Sequence, residues 1–146
     1  MFHLIKNKKI FFLFGLGVFG LTLNLYAEDT CDMKAVNMGN QSAMNKCATI
    51  DYKKAENLLN KTYDKLLNLH KHNKHFIENL KKSQMTWIKF RDAEVNMLMT
   101  YSDMPGNYGT MNSMLRSGEL QSLTEKRIKE LQKYIKDGIM DQEEQY

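Results

Sequence analysis

The chain has 146 residues, room for one ordinary domain, with 42% hydrophobic residues, 26% charged residues and a formal net charge of +4. Three of its 21 Lys and Arg and none of its 17 Asp and Glu fall in the first 27 residues, leaving 18 against 17, or +1, beyond them. That balance excludes the basic patch or stripe of a nucleic-acid binder, and the interspersed Lys and Glu match an ordinary solvated helix surface.

Residues 1–27 have the order of a secretory signal peptide. Lys6, Lys8 and Lys9 give a basic start, an apolar run extends from Ile10 to Leu23, and Ala27 closes the segment. The run is shorter than the roughly 20 residues that span a bilayer. Cleavage after Ala27 is therefore expected, with an uncleaved N-terminal anchor as the alternative. The expected location is periplasmic or secreted, with no membrane association after cleavage. Cys31 comes after Glu28, Asp29 and Thr30, which are not the small residues of a lipoprotein signal, so lipidation is not expected.

Cys31 and Cys47 are the two cysteines. In an oxidising exported compartment an even pair reads as a disulfide. Closing a loop of this size stabilises a small domain by about 3 kcal/mol.

Helical periodicity dominates the rest of the chain. Between Asn40 and His70, the positions Met44, Cys47 or Ala48, Ala55, Leu58, Leu59, Thr62, Leu66 and Leu69 recur at three-and-four spacing, which predicts a long amphipathic helix. A polar connection runs from His70 to His75. A second helix is predicted from about Phe76 to Tyr101, with Phe76, Leu80, Gln84, Trp87, Arg91, Val95 and Leu98 facing inward. Pro105, Gly106 and Gly109 end it. A short helical stretch is expected over Met111 to Arg116. Ser122-Leu123-Thr124-Glu125 then has the form of a capping box. It opens a last helix carrying Leu123, Arg127, Ile128, Leu131, Tyr134 and Ile135 and ending near Gly138. Residues 139–146 read as an acidic, flexible tail. The predicted fold is all-α: an antiparallel bundle of three main helices with one N-terminal disulfide, forming a single domain over residues 28–138.

His70, His72 and His75 form H-x-H-x-x-H, and with 11 Met in an exported chain they raise a copper or zinc site. Against it, the histidines lie in an expected turn, and Met at core spacing is gap filler. No cofactor is expected. Asp92 and Glu94 point to different helix faces, no Cys sits in a recognisable nucleophile setting, and no phosphate loop occurs. The chain reads as non-enzymatic. Gln84, Trp87 and Arg91 share one inward face, so Trp87 reads as a core anchor. Arg91 needs a carboxylate from Asp51 or Glu56, or from Glu125 or Glu130. The trio then acts as a polar clasp that fixes helix register.

The order of these segments resembles the lysozyme inhibitor LprI-like (N-terminal domain) family of small exported proteins. The resemblance is carried by Cys31, by Met44-Asn45-Lys46-Cys47-Ala48, and by Leu59-Asn60-Lys61-Thr62-Tyr63. It continues in Gln84-Met85-Thr86-Trp87-Ile88-Lys89-Phe90-Arg91-Asp92 and in Leu123-Thr124-Glu125-Lys126-Arg127. It covers about Cys31 to Leu131. It marks Asn60, Tyr63, Gln84, Trp87, Arg91, Asp92, Leu123, Thr124 and Arg127 as structural motif positions, and it assigns none of them as an inhibitory contact. It implies a helical envelope protein whose partner is a lysozyme. Many relatives carry two further cysteines, absent here, with Val95 at the first of those positions. The function expected from residues and resemblance together is a lysozyme inhibitor that protects the cell wall. The alternatives are a periplasmic Cu/Zn-binding protein and an envelope immunity or accessory protein.

Overall fold

The structure, a computed structural model, describes residues 30–100 and 109–138. Residues 1–29, 101–108 and 139–146, and with them the expected signal segment 1–27, Pro105 and Gly106, and the expected tail, lie outside the described residues. The described residues form a short helix α1 (Met33–Asn37) and three long helices, α2 (Gln41–Leu69), α3 (Lys74–Leu98) and α4 (Asn112–Asp137), with a 3₁₀ turn Gly109–Met111 before the last. No strand occurs among them. The fold is all-α, as the periodicity predicts.

The helix starts are chemically marked. Asp32, Asn40 and Asn73 each accept a hydrogen bond from the backbone N–H three residues on, at 3.0, 3.0 and 2.9 Å. A side-chain oxygen there satisfies one of the donors that a helix start leaves orphaned. Gly39, at φ +77°, makes the left-handed turn between α1 and α2.

Cys31 and Cys47 form a disulfide with Cα atoms 4.8 Å apart, fastening the segment before α1 to the second turn of α2. Helix α1 contributes no buried residue, so this bond and short local hydrogen bonds hold it.

Register is set by side-chain contacts. Along α2 and α4 the partners rise together: Asn45 Nδ2 donates to Thr110 O at 2.8 Å, and the Thr49 and Ser117 hydroxyls lie 3.4 Å apart. Along α3 and α4 they run in opposite senses, Asn96 with Arg116 and Gln84 with Arg127. The bundle is therefore up-down-up, with α2 and α4 parallel and α3 antiparallel to both. The backbones of α2 and α4 approach most closely. Small buried residues, Ala55 and Thr62 on α2 and Ser117 and Thr124 on α4, leave room for that approach. The core cluster joins Leu59, Leu66, Leu80, Ile128 and Leu131, with Tyr63, Leu67, Phe76, Trp87 and Ile135 against it. Each fully buried Leu or Ile contributes about 1.5–3 kcal/mol.

Two expectations are corrected. Helix α4 begins at Asn112, so Ser122 to Glu125 lie in mid-helix and Ser122 caps nothing. An N-cap needs non-helical dihedrals, and packing of Ser117, Leu120 and Gln121 against the bundle keeps this stretch helical instead. Leu58, Leu69, Leu98 and Tyr134 are exposed rather than inward. At the end of α3 it is Met99, one residue beyond Leu98, that is buried.

Candidate functional site

Trp87, half-buried on α3, lies against two guanidinium groups. The Arg91 Cζ is 5.4 Å and the Arg127 Cζ 5.9 Å from its ring centroid, within cation–π range. Arg91 also lies 5.9 Å from the Tyr52 ring. Both arginines are 7% exposed, so each needs partners to compensate the loss of water.

Arg91 finds them on two helices. Its Nη1 donates to Glu56 Oε1 on α2 at 2.6 Å, and its Nε and Nη2 donate to Asp92 Oδ1 at 3.0 and 2.8 Å. Burial works to lower the Arg91 pKa, but the hydrogen bonds to Asp92 and Glu56 and the charges nearby hold it above its ordinary value. The group is a fixed cation. Tyr52 responds to the same cluster: burial first, then its hydrogen bond to Glu56, push the phenol far above its usual range.

Arg127 makes the second node. Its Nε donates to Gln84 Oε1 at 3.1 Å, its Nη2 to Ser83 Oγ at 3.1 Å and its Nη1 to Glu130 Oε2 at 2.9 Å. Gln84, Trp87 and Arg91 thus share one seam, as their spacing predicts. Of the four carboxylates within sequence reach of Arg91, Glu56 is the one that binds it. Asp51 pairs with Lys54 and Glu130 with Arg127. Asp92, the residue next to Arg91, is a partner that shared-face spacing does not reveal, because it reaches back along its own helix. The second buried arginine is visible in the sequence as an Arg on the Ile128–Leu131 stripe of α4.

The other motif positions have different surroundings. Asn60 is exposed and Leu123 half-buried. Tyr63 packs on the core, and burial, then the nearby Asp64 charge, raise its phenol pKa. Thr124 is fully buried, and its hydroxyl has no hydrogen-bond partner. His70 ends α2 with its ring 4.2 Å from Phe76. His72 is exposed, and His75 Nε2 faces Asn79 Nδ2 at 3.1 Å. Among the described residues, no group of three or more His, Cys, Asp or Glu is placed to hold a metal ion.

Two open grooves flank α4. One, against α2, is lined by Asp51, Lys54, Ala55, Leu58, Gln121, Glu125 and Ile128. The other, against α3, is lined by Asn79, Lys82, Ser83, Thr86, Trp87, Phe90 and Arg127. The first is an apolar strip edged by the Asp51–Lys54 pair and Glu125, and the second an aromatic strip edged by the exposed Lys82.

Among known proteins, the chain is 34% identical over 109 residues to an uncharacterized protein of Rhizobium meliloti (strain 1021), covering 67% of this chain and 76% of that protein. No solved structure matches. The family described as lysozyme inhibitor LprI matches residues 31–131, a span that takes in the disulfide, all of α2 and α3, and most of α4. The chain therefore belongs to the lysozyme inhibitor LprI family.

Proposed function

We propose that this chain is an exported, non-enzymatic binding protein that inhibits a lysozyme and so protects the cell wall. The observation that carries this reading is the family match over residues 31–131, which includes the disulfide and most of the packed bundle. Export is read from the basic, apolar and small-residue order of residues 1–27. Among the described residues no helix is long and apolar enough to cross a membrane.

The α2/α4 groove is the surface we assign to the enzyme. Leu58 is 47% exposed there, beside Asp51 and Glu125. An exposed apolar centre with a polar rim is the usual anatomy of a protein interface. Lysozymes of the c type are basic, and Glu125, the carboxylate of this rim that forms no ion pair among the described residues, favours a basic partner there.

A clearing assay on cell walls tests this, with mature protein in molar excess over enzyme. The native chain slows clearing, and Leu58→Arg with Glu125→Lys restores it while the helical circular dichroism is unchanged. Unaltered clearing by several lysozyme types in the presence of the native chain would overturn the inhibitor reading. Full inhibition by the double variant would overturn the choice of surface.

A further inference from the structure

The α3/α4 groove has chemistry that the α2/α4 groove lacks. Phe90 is 53% exposed, and together with Trp87 it gives the groove an aromatic wall. Asn79, Ser83, Thr86 and Phe90 recur at three-and-four spacing and form one row along α3. At 1.5 Å per residue the row is about 16 Å long. Its polar members can still bond outward. Ser83 Oγ accepts from Arg127 Nη2, which leaves the serine proton for another acceptor.

The groove is also short of negative charge. Lys82 forms no ion pair among the described residues. Arg127 uses one hydrogen on each of its three nitrogens, which leaves two of a guanidinium's five donors. Glu130, the carboxylate bonded to Arg127, is already engaged.

We propose that this groove binds a strand of carboxylate-bearing amino sugars, the chemistry of a cell-wall glycan freed of its stem peptides. A pyranose ring has an apolar C–H face, which lies on an aromatic side chain, and a rim of hydroxyl and acetamido groups, which amide and hydroxyl side chains can bond. Carboxylates on the strand meet the exposed Lys82 ammonium. A peptide partner would seat its apolar side chains in pockets, whereas this groove is shallow, open and lined by a continuous row. The assignment stands on the groove's own chemistry and does not depend on enzyme inhibition.

Trp87 is the only Trp of the chain, so its emission reports on this groove directly. The full mature chain is titrated, without any lysozyme, against four probes. They are soluble wall glycan chains retaining their lactyl carboxylates, neutral chito-oligosaccharide, polygalacturonate and polyglutamate. The expected result is a saturable change with the wall glycan, at a concentration roughly tenfold lower than for any other probe. Phe90→Ala and Lys82→Ala, at exposed positions, each weaken that binding by roughly fivefold without moving the melting temperature. A flat titration overturns the proposal, as does binding unaffected by both substitutions. An equal response to polygalacturonate overturns the amino-sugar assignment, and an equal response to polyglutamate assigns the groove to an acidic polypeptide instead. Because lysozyme is absent throughout, none of these outcomes depends on the clearing assay.

Discussion

Arg91 Nη1 and Glu56 Oε1 meet at 2.6 Å across 35 positions of sequence, joining the C-terminal third of α3 to the middle of α2. The guanidinium is buried, while the Glu56 side chain keeps 41% of its exposure. The pair is therefore asymmetric. Losing the arginine frees a carboxylate that water can reach, and losing the glutamate strands part of a buried cation.

Arg91→Ala lowers stability by about 2 kcal/mol, below the 3–5 kcal/mol of a fully buried pair because Glu56 and Asp92 are half-solvated. Arg91→Lys does not restore it, since an ammonium cannot fork between two carboxylates. Thermal unfolding shows this as a fall in Tm of roughly 10 °C for both variants. Inhibition per folded molecule is unchanged. A full rescue by lysine would mean that charge alone, not the fork, holds the seam.

Tyr52 gives the chain a pH signature. Its pKa is raised above the unfolded value of 10.0, so its contribution to stability is fully present below pH 10 and is lost as pH rises beyond it. Tyr63 acts in the same direction. In Tyr52→Phe the fall of Tm between pH 9 and pH 11 is shallower than in the native chain. Parallel curves for the two proteins would show that Tyr52 ionises as freely in the fold as outside it.

Reduction of Cys31–Cys47, or replacement of both cysteines by Ser, removes about 3 kcal/mol of stabilisation by loop closure. Far-UV circular dichroism at 25 °C barely changes, because α1 has five residues and buries none of them. The check is a lowered Tm with native helicity below the transition. Loss of most of the helical signal on reduction would show that the disulfide holds the bundle itself.

Thr124→Val keeps or raises stability, by up to about 1 kcal/mol, because the buried hydroxyl it removes has no partner. Thr62→Val is the control: Thr62 Oγ1 donates to Leu58 O at 2.8 Å, so replacing it gains less or costs stability. Chemical denaturation of both variants measures the difference.

Much of this architecture is legible in the sequence because burial leaves a periodic trace. Leu59, Leu66, Leu80, Val95, Ile128 and Leu131 all lie on predicted stripes and are all buried. What the sequence hides is set by packing between helices. Ser122 to Glu125 have the local form of a helix start, yet neighbours on α2 hold the chain helical through them. Gly118, which would weaken an isolated helix, sits inside α4 facing open space. The seam is half legible: Gln84, Trp87 and Arg91 share a face by spacing alone. Arg127 joins them only because antiparallel packing sets α4 beside Gln84. The grooves are not legible, since each is a property of two helices together.

The up-down-up order also gives the bundle an electrical polarity. Two helix C-termini, near Leu69 and Asp137, lie at one pole, and only one helix N-terminus, at Lys74, opposes them. With about half an elementary charge at each helix end, that pole carries a net excess of about −0.5. The chain sets Lys71, Lys74 and Lys136 there, beside Asp137. The turn that suggests a metal site in the sequence thus holds Lys71 and Lys74 where the helix macrodipoles leave an excess of negative.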